Sequence, residues 1–475
     1  MFLKNDSLKN LAMTDIQKKM YAEIQDSSLL QDSLTAGTNY LEEVFSRSVF
    51  PSDQAIAGLQ HFQKPLNENP VSAEEVLQDL VQYGGPATMA QVGGRYFGFV
   101  NGSVVPAGLA AKILASFWDQ NTALQIMSPL AGRLEAVVEG WLRELFNLPE
   151  HSVAGFVSGT STANICGLLA ARYRLLERQG WDVIQKGLYG APPLRIIAGA
   201  DAHSSVLRAV NILGLGQSHI EWVPADEQGR ILPDQVPALD GRCIILLQAG
   251  NVNSGAFDPL PKILAKAKAA GAWVHVDGAF GLWAATSPRL SYLTEGLAGV
   301  DSCAVDAHKT LNTPYDSGIV LCADREALAH GLQTSGDYLL WSNEREGMRY
   351  TLAMSKRSRI IELWATLRSL GKEGLAQMVE GMHDRAQQFA LALKAIDGFY
   401  VPNDVVFNQV LVHCADDSLT EKVLETVQNS GTCWAGSSSW FGKKVIRISI
   451  CAWTTTEKDI ELSVEAFSKA LSENQ

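Results

Sequence analysis

The chain is poor in cysteine. Seven occur in 475 residues, at 166, 243, 303, 322, 414, 433 and 451, and no two stand in a CxxC spacing. That excludes the usual zinc and dithiol frameworks, so no metal is expected. The cysteines read as small core residues in a reducing, cytoplasmic compartment. Long apolar runs are missing: nothing reaches the roughly 18 residues a membrane helix needs. Basic clusters are missing as well. Lys and Arg number 39 against 51 Asp and Glu, a net charge of −12, which argues against nucleic acid or an anionic membrane as partner. Met1 to Met20 has neither the apolar core of a signal peptide nor an arginine-rich transit pattern, so no leader is expected. Internal repeats and low-complexity segments are absent too.

What is present is a large apolar budget: 47% hydrophobic and 19% charged residues, enough to bury two or three domains' worth of core. Residues 1–90 read as helices on polar turns, an arm poor in core of its own. From 151 to about 325, apolar strands at 194–199, 219–223, 243–248, 272–277, 302–306 and 317–322 alternate with helices. That alternation predicts an α/β fold with a mostly parallel central sheet, whose ligands sit beyond the strands' carboxyl ends. Two helices are expected between 104 and 147, the second with Glu135, Glu139 and Glu144 on polar faces. After 345 the pattern changes to long helices at 355–370 and 374–396, short strands at 405–413 and 444–450, and a last helix at 457–471, a small α+β domain. The division is therefore 1–90, 91–345 and 346–475.

Four segments carry chemistry. Trp273-Val274-His275-Val276-Asp277 reads as a buried strand delivering a carboxylate at its end, and Ser302 to Lys309 as another ending in an amine. Pyridoxal 5'-phosphate needs that pair: a lysine to form a Schiff base with its aldehyde, and a carboxylate to keep its ring nitrogen protonated. Gly159-Thr160-Ser161-Thr162 is a hydroxyl-rich turn before a helix, suited to phosphate at a helix N-terminus and equally to plain N-capping. Asp201-Ala202-His203 follows a strand and places an imidazole that could stack on a flat ring, or serve as an ordinary loop histidine. Alone, a solvated lysine and a capping aspartate are the bland readings.

In this order the four segments resemble the group II pyridoxal-phosphate-dependent decarboxylases, the family of aromatic-amino-acid, histidine and glutamate decarboxylases. Asn253 to Leu260, His308 to Gly318 and Arg447 to Cys451 with Thr454 to Glu457 extend the resemblance to roughly residues 50–470. It implies fold type I, the aspartate-aminotransferase-like fold, a homodimer into which the N-terminal arm packs, and loss of CO2 from an L-amino acid. It casts Lys309 as the Schiff-base lysine and Asp277 as partner of the ring nitrogen. His203 would cover one ring face with Ala279 against the other, and Thr160, Ser161 and His308 would lie near phosphate. Arg95 to Val100 resembles the family's pocket-lining loop.

The departures are informative. Gln248 stands where aromatic-type enzymes carry a threonine; it could meet the cofactor's phenolic oxygen or the substrate carboxylate. Asp306 replaces an asparagine near the phosphate, and like-charge repulsion predicts that it points elsewhere. Tyr350, with Tyr338 as alternative, is expected on a shortened mobile loop, returning a proton to Cα after CO2 leaves. Aromatic residues Tyr96, Phe97, Phe99 and Trp118 tilt the substrate toward an aromatic amino acid. An acidic one would need Arg95, Arg349 or Lys356. A carbon–carbon lyase, an aminotransferase and a non-catalytic fold relative stay open as alternatives.

Overall fold

Period-two alternation of apolar residues builds a seven-stranded sheet. In the computed structural model, which describes residues 13–332 and 344–475, its strands are β1 (Val153–Val157), β2 (Arg195–Gly199), β3 (Ile220–Val223), β4 (Cys243–Gln248), β5 (Trp273–Asp277), β6 (Ser302–Asp306) and β7 (Gly318–Cys322). Their order is β1-β7-β6-β5-β4-β2-β3. β7 runs antiparallel to both its neighbours, and every other pair is parallel. This is the α/β architecture expected from the alternation of strands and helices.

The alternation sorts side chains between two cores. Ile245, Leu247, Val274, Val276, Cys303 and Val305 pack on one face with Val138, Leu142, Ile263 and Trp283. Ile244, Leu246, Trp273 and Ala304 pack on the other with Cys166, Leu168 and Ala170 of the Thr160–Arg178 helix. Because successive residues point to opposite faces, Gln248, Asp277 and Asp306 share that second face. Each is the last residue of its strand.

A smaller antiparallel sheet, β8 (Gln409–Val412), β9 (Gly436–Trp440) and β10 (Lys443–Ser449), has the order β8-β10-β9. It packs with the Asp417–Asn429 and Glu457–Asn474 helices into a third core. One long helix, Ile360–Lys394, joins the cores: Ile361 and Leu367 belong to the first, Phe389 and Leu393 to the third. It is broken at Gly371, whose φ of 60° suits glycine. At the N-terminus, the helices Asp15–Gln25, Ser27–Glu43, Asp53–Gly58 and Ala73–Asp79 bury no residue.

One expectation is corrected here. Glu135 and Glu139, placed on polar faces from sequence, are buried at 2% and 6% exposure. Their charges are matched inside the protein. Arg345 Nε lies 3.1 Å and Lys356 Nζ 3.2 Å from Glu135, while Arg325 and Arg345 pair with Glu139. Glu139 also accepts the Ala154 N–H of β1 at 2.9 Å. A buried charge survives only when paired in this way.

Candidate active site

The strand ends bring the site together. β4 and β5 pair Gln248 directly opposite Asp277. Asp277 is buried and its two oxygens are used unequally. Oδ2 accepts from Asn164 Nδ2 at 3.0 Å and from the Ser205 hydroxyl at 3.0 Å, whereas among the described residues Oδ1 accepts only the Ala279 N–H at 3.1 Å. Oδ1 therefore keeps a lone pair for a further donor. His203 N-caps the Ser204–Ile212 helix, its Nδ1 accepting the Ser205 N–H at 3.2 Å. The same Nδ1 lies 2.8 Å from Ser205 Oγ, which ties the imidazole to the hydroxyl that serves Asp277. Burial pushes the His203 pKa down, with the Lys309 and Arg447 charges adding to the shift and Asp277 opposing it. The imidazole is thus neutral near pH 7. Gln248 is buried; its amide donates to the Asp201 carbonyl at 3.1 Å, and its backbone N–H donates to Asp258 at 2.7 Å.

Beside these groups, β6 ends at the N-terminus of the Thr160–Arg178 helix, which has no side-chain cap of its own. The prediction that Asp306 points elsewhere fails. Its Oδ1 accepts the Thr160 N–H at 2.6 Å, and its Oδ2 lies 3.3 Å from Lys309 Nζ and 3.6 Å from His308 Nε2. The helix's partial positive charge and the lysine outweigh the reason for turning away. His308 is buried, with Nδ1 accepting the Ser317 N–H at 3.1 Å and its ring stacked on Tyr315 at 4.2 Å. Burial lowers its pKa as well.

The residues fit a phosphorylated pyridine aldehyde. Thr160 Oγ1 and Ser317 Oγ are buried hydroxyls with no hydrogen-bond partner among the described residues. They flank a cationic helix end where a Cβ on Gly318 would strike Gly159 Cα at 2.4 Å. Lys309 supplies the amine and Asp277 the carboxylate. Ser161 is exposed, one residue beyond this cluster. Ala279 follows Asp277 by two residues and donates its N–H to Asp277 Oδ1.

Tyr350 is not brought to the site. It is 7% exposed, with its hydroxyl accepting from Arg325 at 3.1 Å and its ring beneath Arg345, whose guanidinium carbon lies 4.8 Å from the ring centroid. Arg325 follows the end of β7 that pairs with Ser302, the start of β6. That end is about 13 Å from Asp306 at ~3.3 Å per residue. Two guanidiniums and an apolar bed hold the ring away from Lys309. Tyr338, the alternative, lies outside the described residues.

Sequence reasoning missed Asn164, Ser205 and His275 around Asp277, and the role open to Arg447. The Arg447 guanidinium is close enough to influence His203, and its buried Nε has no partner among the described residues. The signal for His275 was there: Trp273, His275 and Asp277 alternate onto one face of β5.

Comparison with known proteins gives a consistent picture. Residues 60–414 match the family described as the pyridoxal-dependent decarboxylase conserved domain. An aromatic-L-amino-acid decarboxylase of Bacillus atrophaeus is 25% identical over 490 residues, covering 97% of this chain and 92% of the relative. Tyrosine decarboxylase 2 of Narcissus pseudonarcissus is 25% identical over 429 residues, 84% of each chain. Among solved structures, Oryza sativa TDC with PLP and tryptamine superposes with a TM-score of 0.86 at 21% identity, covering 94% of this chain and 97% of that one. Mouse CSAD gives 0.86 at 20% identity, covering 94% and 98%.

Proposed function

The chain belongs to the pyridoxal-dependent decarboxylase family, and from that premise we propose that it is a pyridoxal-phosphate enzyme converting an aromatic L-amino acid to its amine and CO2. The observation that carries the reading is the convergence at the strand ends of Lys309, Asp277 and the Thr160 and Ser317 hydroxyls, which have no partner among the described residues. Bound pyridoxal phosphate supplies the electron sink for the pair left on Cα when CO2 departs. Lys309 would hold the aldehyde carbon until the substrate amine takes its place. Asp277 offers Oδ1 to the ring nitrogen, and a charge-assisted hydrogen bond there, away from water, keeps that nitrogen protonated. His203 and Ala279 would flank the ring. Thr160, Ser317 and His308 would hold the phosphate, with the exposed Ser161 at its edge. Arg447 offers a guanidinium to the substrate carboxylate, and Gln248 lies beside it.

Two observations support an aromatic side chain over an acidic one. Two of the three cations named for an acidic substrate, Arg95 and Lys356, are committed elsewhere. Arg95 donates to the Thr432 carbonyl at 2.9 Å and pairs with Asp459, and Lys356 is buried against Glu135. The 95–102 loop is aromatic and abuts the lysine segment. A Cβ on Gly102 would lie 2.2 Å from the Lys309 carbonyl oxygen, and Phe99 stacks on Trp434 while remaining 62% exposed. Relatives named for tyrosine and tryptophan point the same way.

The test is direct. Purified protein is incubated with aromatic, acidic and aliphatic L-amino acids, and CO2, amine and aldehyde are measured by mass. Amine from an aromatic substrate is expected. Turnover of glutamate, aspartate or cysteine sulfinate alone would overturn the substrate. Transfer of the amino group to a keto-acid would overturn the reaction. Lys309→Ala should lose both the cofactor's visible band and borohydride labelling.

The same reading includes a homodimer in a reducing cytoplasm, with the three-part division at 90 and 345. Supporting it are the N-terminal helices without buried residues, exposed Phe117, Trp118, Ile126 and Met127, and seven buried free cysteines. Among the described residues no helix is long and apolar enough to cross a membrane. Sedimentation at about twice the 51.5 kDa chain mass is expected; an active monomer would contradict the dimer.

A further inference from the structure

A chain of buried hydrogen bonds reaches Asp277 from behind. Trp273 Nε1 donates to Ser302 Oγ at 2.9 Å, Ser302 Oγ lies 2.8 Å from His275 Nδ1, His275 Nε2 lies 2.9 Å from Asn164 Oδ1, and Asn164 Nδ2 donates to Asp277 Oδ2 at 3.0 Å. Every side chain in it is at most 5% exposed.

Donor chemistry fixes its direction. Asp277 only accepts, so the Asn164 amide faces it and the Asn164 oxygen faces His275 Nε2; Nδ1 is left as the acceptor for the Ser302 hydroxyl, whose lone pair takes the Trp273 indole N–H. The imidazole proton is then on Nε2, facing the Asn164 carbonyl oxygen, and the Asn164 amide donates onward to a carboxylate that only accepts. Reversing Asn164 would set its oxygen against Asp277, acceptor to acceptor. All the protons therefore point toward Asp277.

The helix opposite is shaped for this ring. A Cβ on Gly167 would lie 2.7 Å from His275 Cε1 and 2.8 Å from Nδ1. Glycine inside a helix costs about 1 kcal/mol relative to alanine. Here it makes room for an imidazole.

We propose that His275, held by Ser302 and acting through Asn164, is a positioning residue that fixes Asp277 Oδ2 and so presents Oδ1 to the cofactor's ring nitrogen. The inference rests on the assignment of Asp277 to that nitrogen. The relay sets how strongly the carboxylate holds its ligand, as second-layer partners do at other sites.

The experiment is a binding titration of the full-length apoprotein with pyridoxal 5'-phosphate and with its isostere in which CH replaces the ring nitrogen. Wild type should prefer the nitrogen-containing ligand. His275→Phe should reduce that preference by about tenfold, the scale of one charge-assisted hydrogen bond. His275→Gln, whose amide can still donate to Asn164, should restore most of it. Ser302→Ala, a small change that keeps the ring in place, should reduce it several-fold by freeing the tautomer, and serves if the phenylalanine variant does not fold. A wild-type protein without preference would overturn the Asp277 assignment itself. A preference that survives in both His275→Phe and Ser302→Ala, or in Ser302→Ala when only that variant folds, would overturn the relay while leaving the assignment standing.

Discussion

Asp306 is the residue with the most unusual position. Its carboxylate takes the Thr160 N–H at 2.6 Å, at the helix end assigned to phosphate, while also holding the Lys309 amine at 3.3 Å. Two unit charges about 4 Å apart interact by roughly 4 kcal/mol at an effective dielectric of ~20. The anion there weakens phosphate binding while the lysine partly compensates. Asp306→Asn keeps an acceptor for Thr160 and removes the charge, so apoprotein should bind pyridoxal phosphate at least about tenfold more tightly. Unphosphorylated pyridoxal should show no such gain. Equal gains for both ligands would mean that Asp306 acts on Lys309 alone. Tyr350 leads to the opposite kind of expectation. Its hydroxyl serves Arg325, so Tyr350→Phe should leave amine formation within about twofold. It should cost about 1 kcal/mol of stability, the worth of one hydrogen bond. A large fall in kcat with unchanged unfolding would return the tyrosine to the chemistry.

At the scale of elements, the buried cluster under β1 shows how a charged helix face can be core. Lys356 is 9% exposed and donates to both Glu135 and the Phe156 carbonyl, and burial lowers its pKa against the opposing pull of Glu135. Removing one partner strands the other. Lys356→Met should destabilise the fold by about 3 kcal/mol in denaturant unfolding; a loss under 1 kcal/mol would show that Arg345 alone satisfies Glu135. Helix amphipathy in the sequence could not reveal this, because a paired buried glutamate and a solvated one occupy the same kind of position. Strands with Val, Ile and Leu at alternate places, β4 to β7, were legible, as was the glycine-marked break between the two halves of the long helix. β9 was not: Gly436-Ser437-Ser438-Ser439-Trp440 lacks β-branched residues and is held by pairing with β10. β1 was not legible either, since Ala154 and Gly155 weaken its pattern; Gly155 is needed because a Cβ there would meet the Tyr350 carbonyl at 2.0 Å. At the site, the lysine and aspartate were legible because strand ends mark them. The position of Tyr350 was not legible, because a sequence spacing says nothing about which guanidinium a ring will find.

At the scale of the whole molecule, buried titrating groups pull stability in opposite directions with pH. Burial drives His275 from 6.5 down to about 4, so the folded protein keeps it neutral after the unfolded chain has taken up a proton. Between pH 6.5 and 4 the unfolded state binds more protons, and stability falls as pH falls. His203 and His308, also lowered by burial, act with the same sign. Asp258 opposes them. Burial raises its carboxyl from 3.8 to about 7, although the Ile231 and Gln248 N–H groups both favour the charged form. Between pH 3.8 and 7 the folded state binds more protons, so this group's contribution is greatest below that window and is lost as pH rises through 7. The two effects separate in paired variants. Relative to His275→Gln, wild type should gain roughly 3 kcal/mol between pH 4 and 6.5; relative to Asp258→Asn, it should lose a similar amount, roughly 3 kcal/mol, between pH 5 and 7. Urea unfolding of the three proteins across that range measures both slopes. Because Asp258 holds the Gln248 backbone at the end of β4, the Asp258→Asn protein should also have a flatter pH dependence of cofactor affinity between pH 6 and 8. Parallel pH–stability curves for wild type and Asp258→Asn would show that the two backbone donors outweigh burial and keep Asp258 ionised throughout.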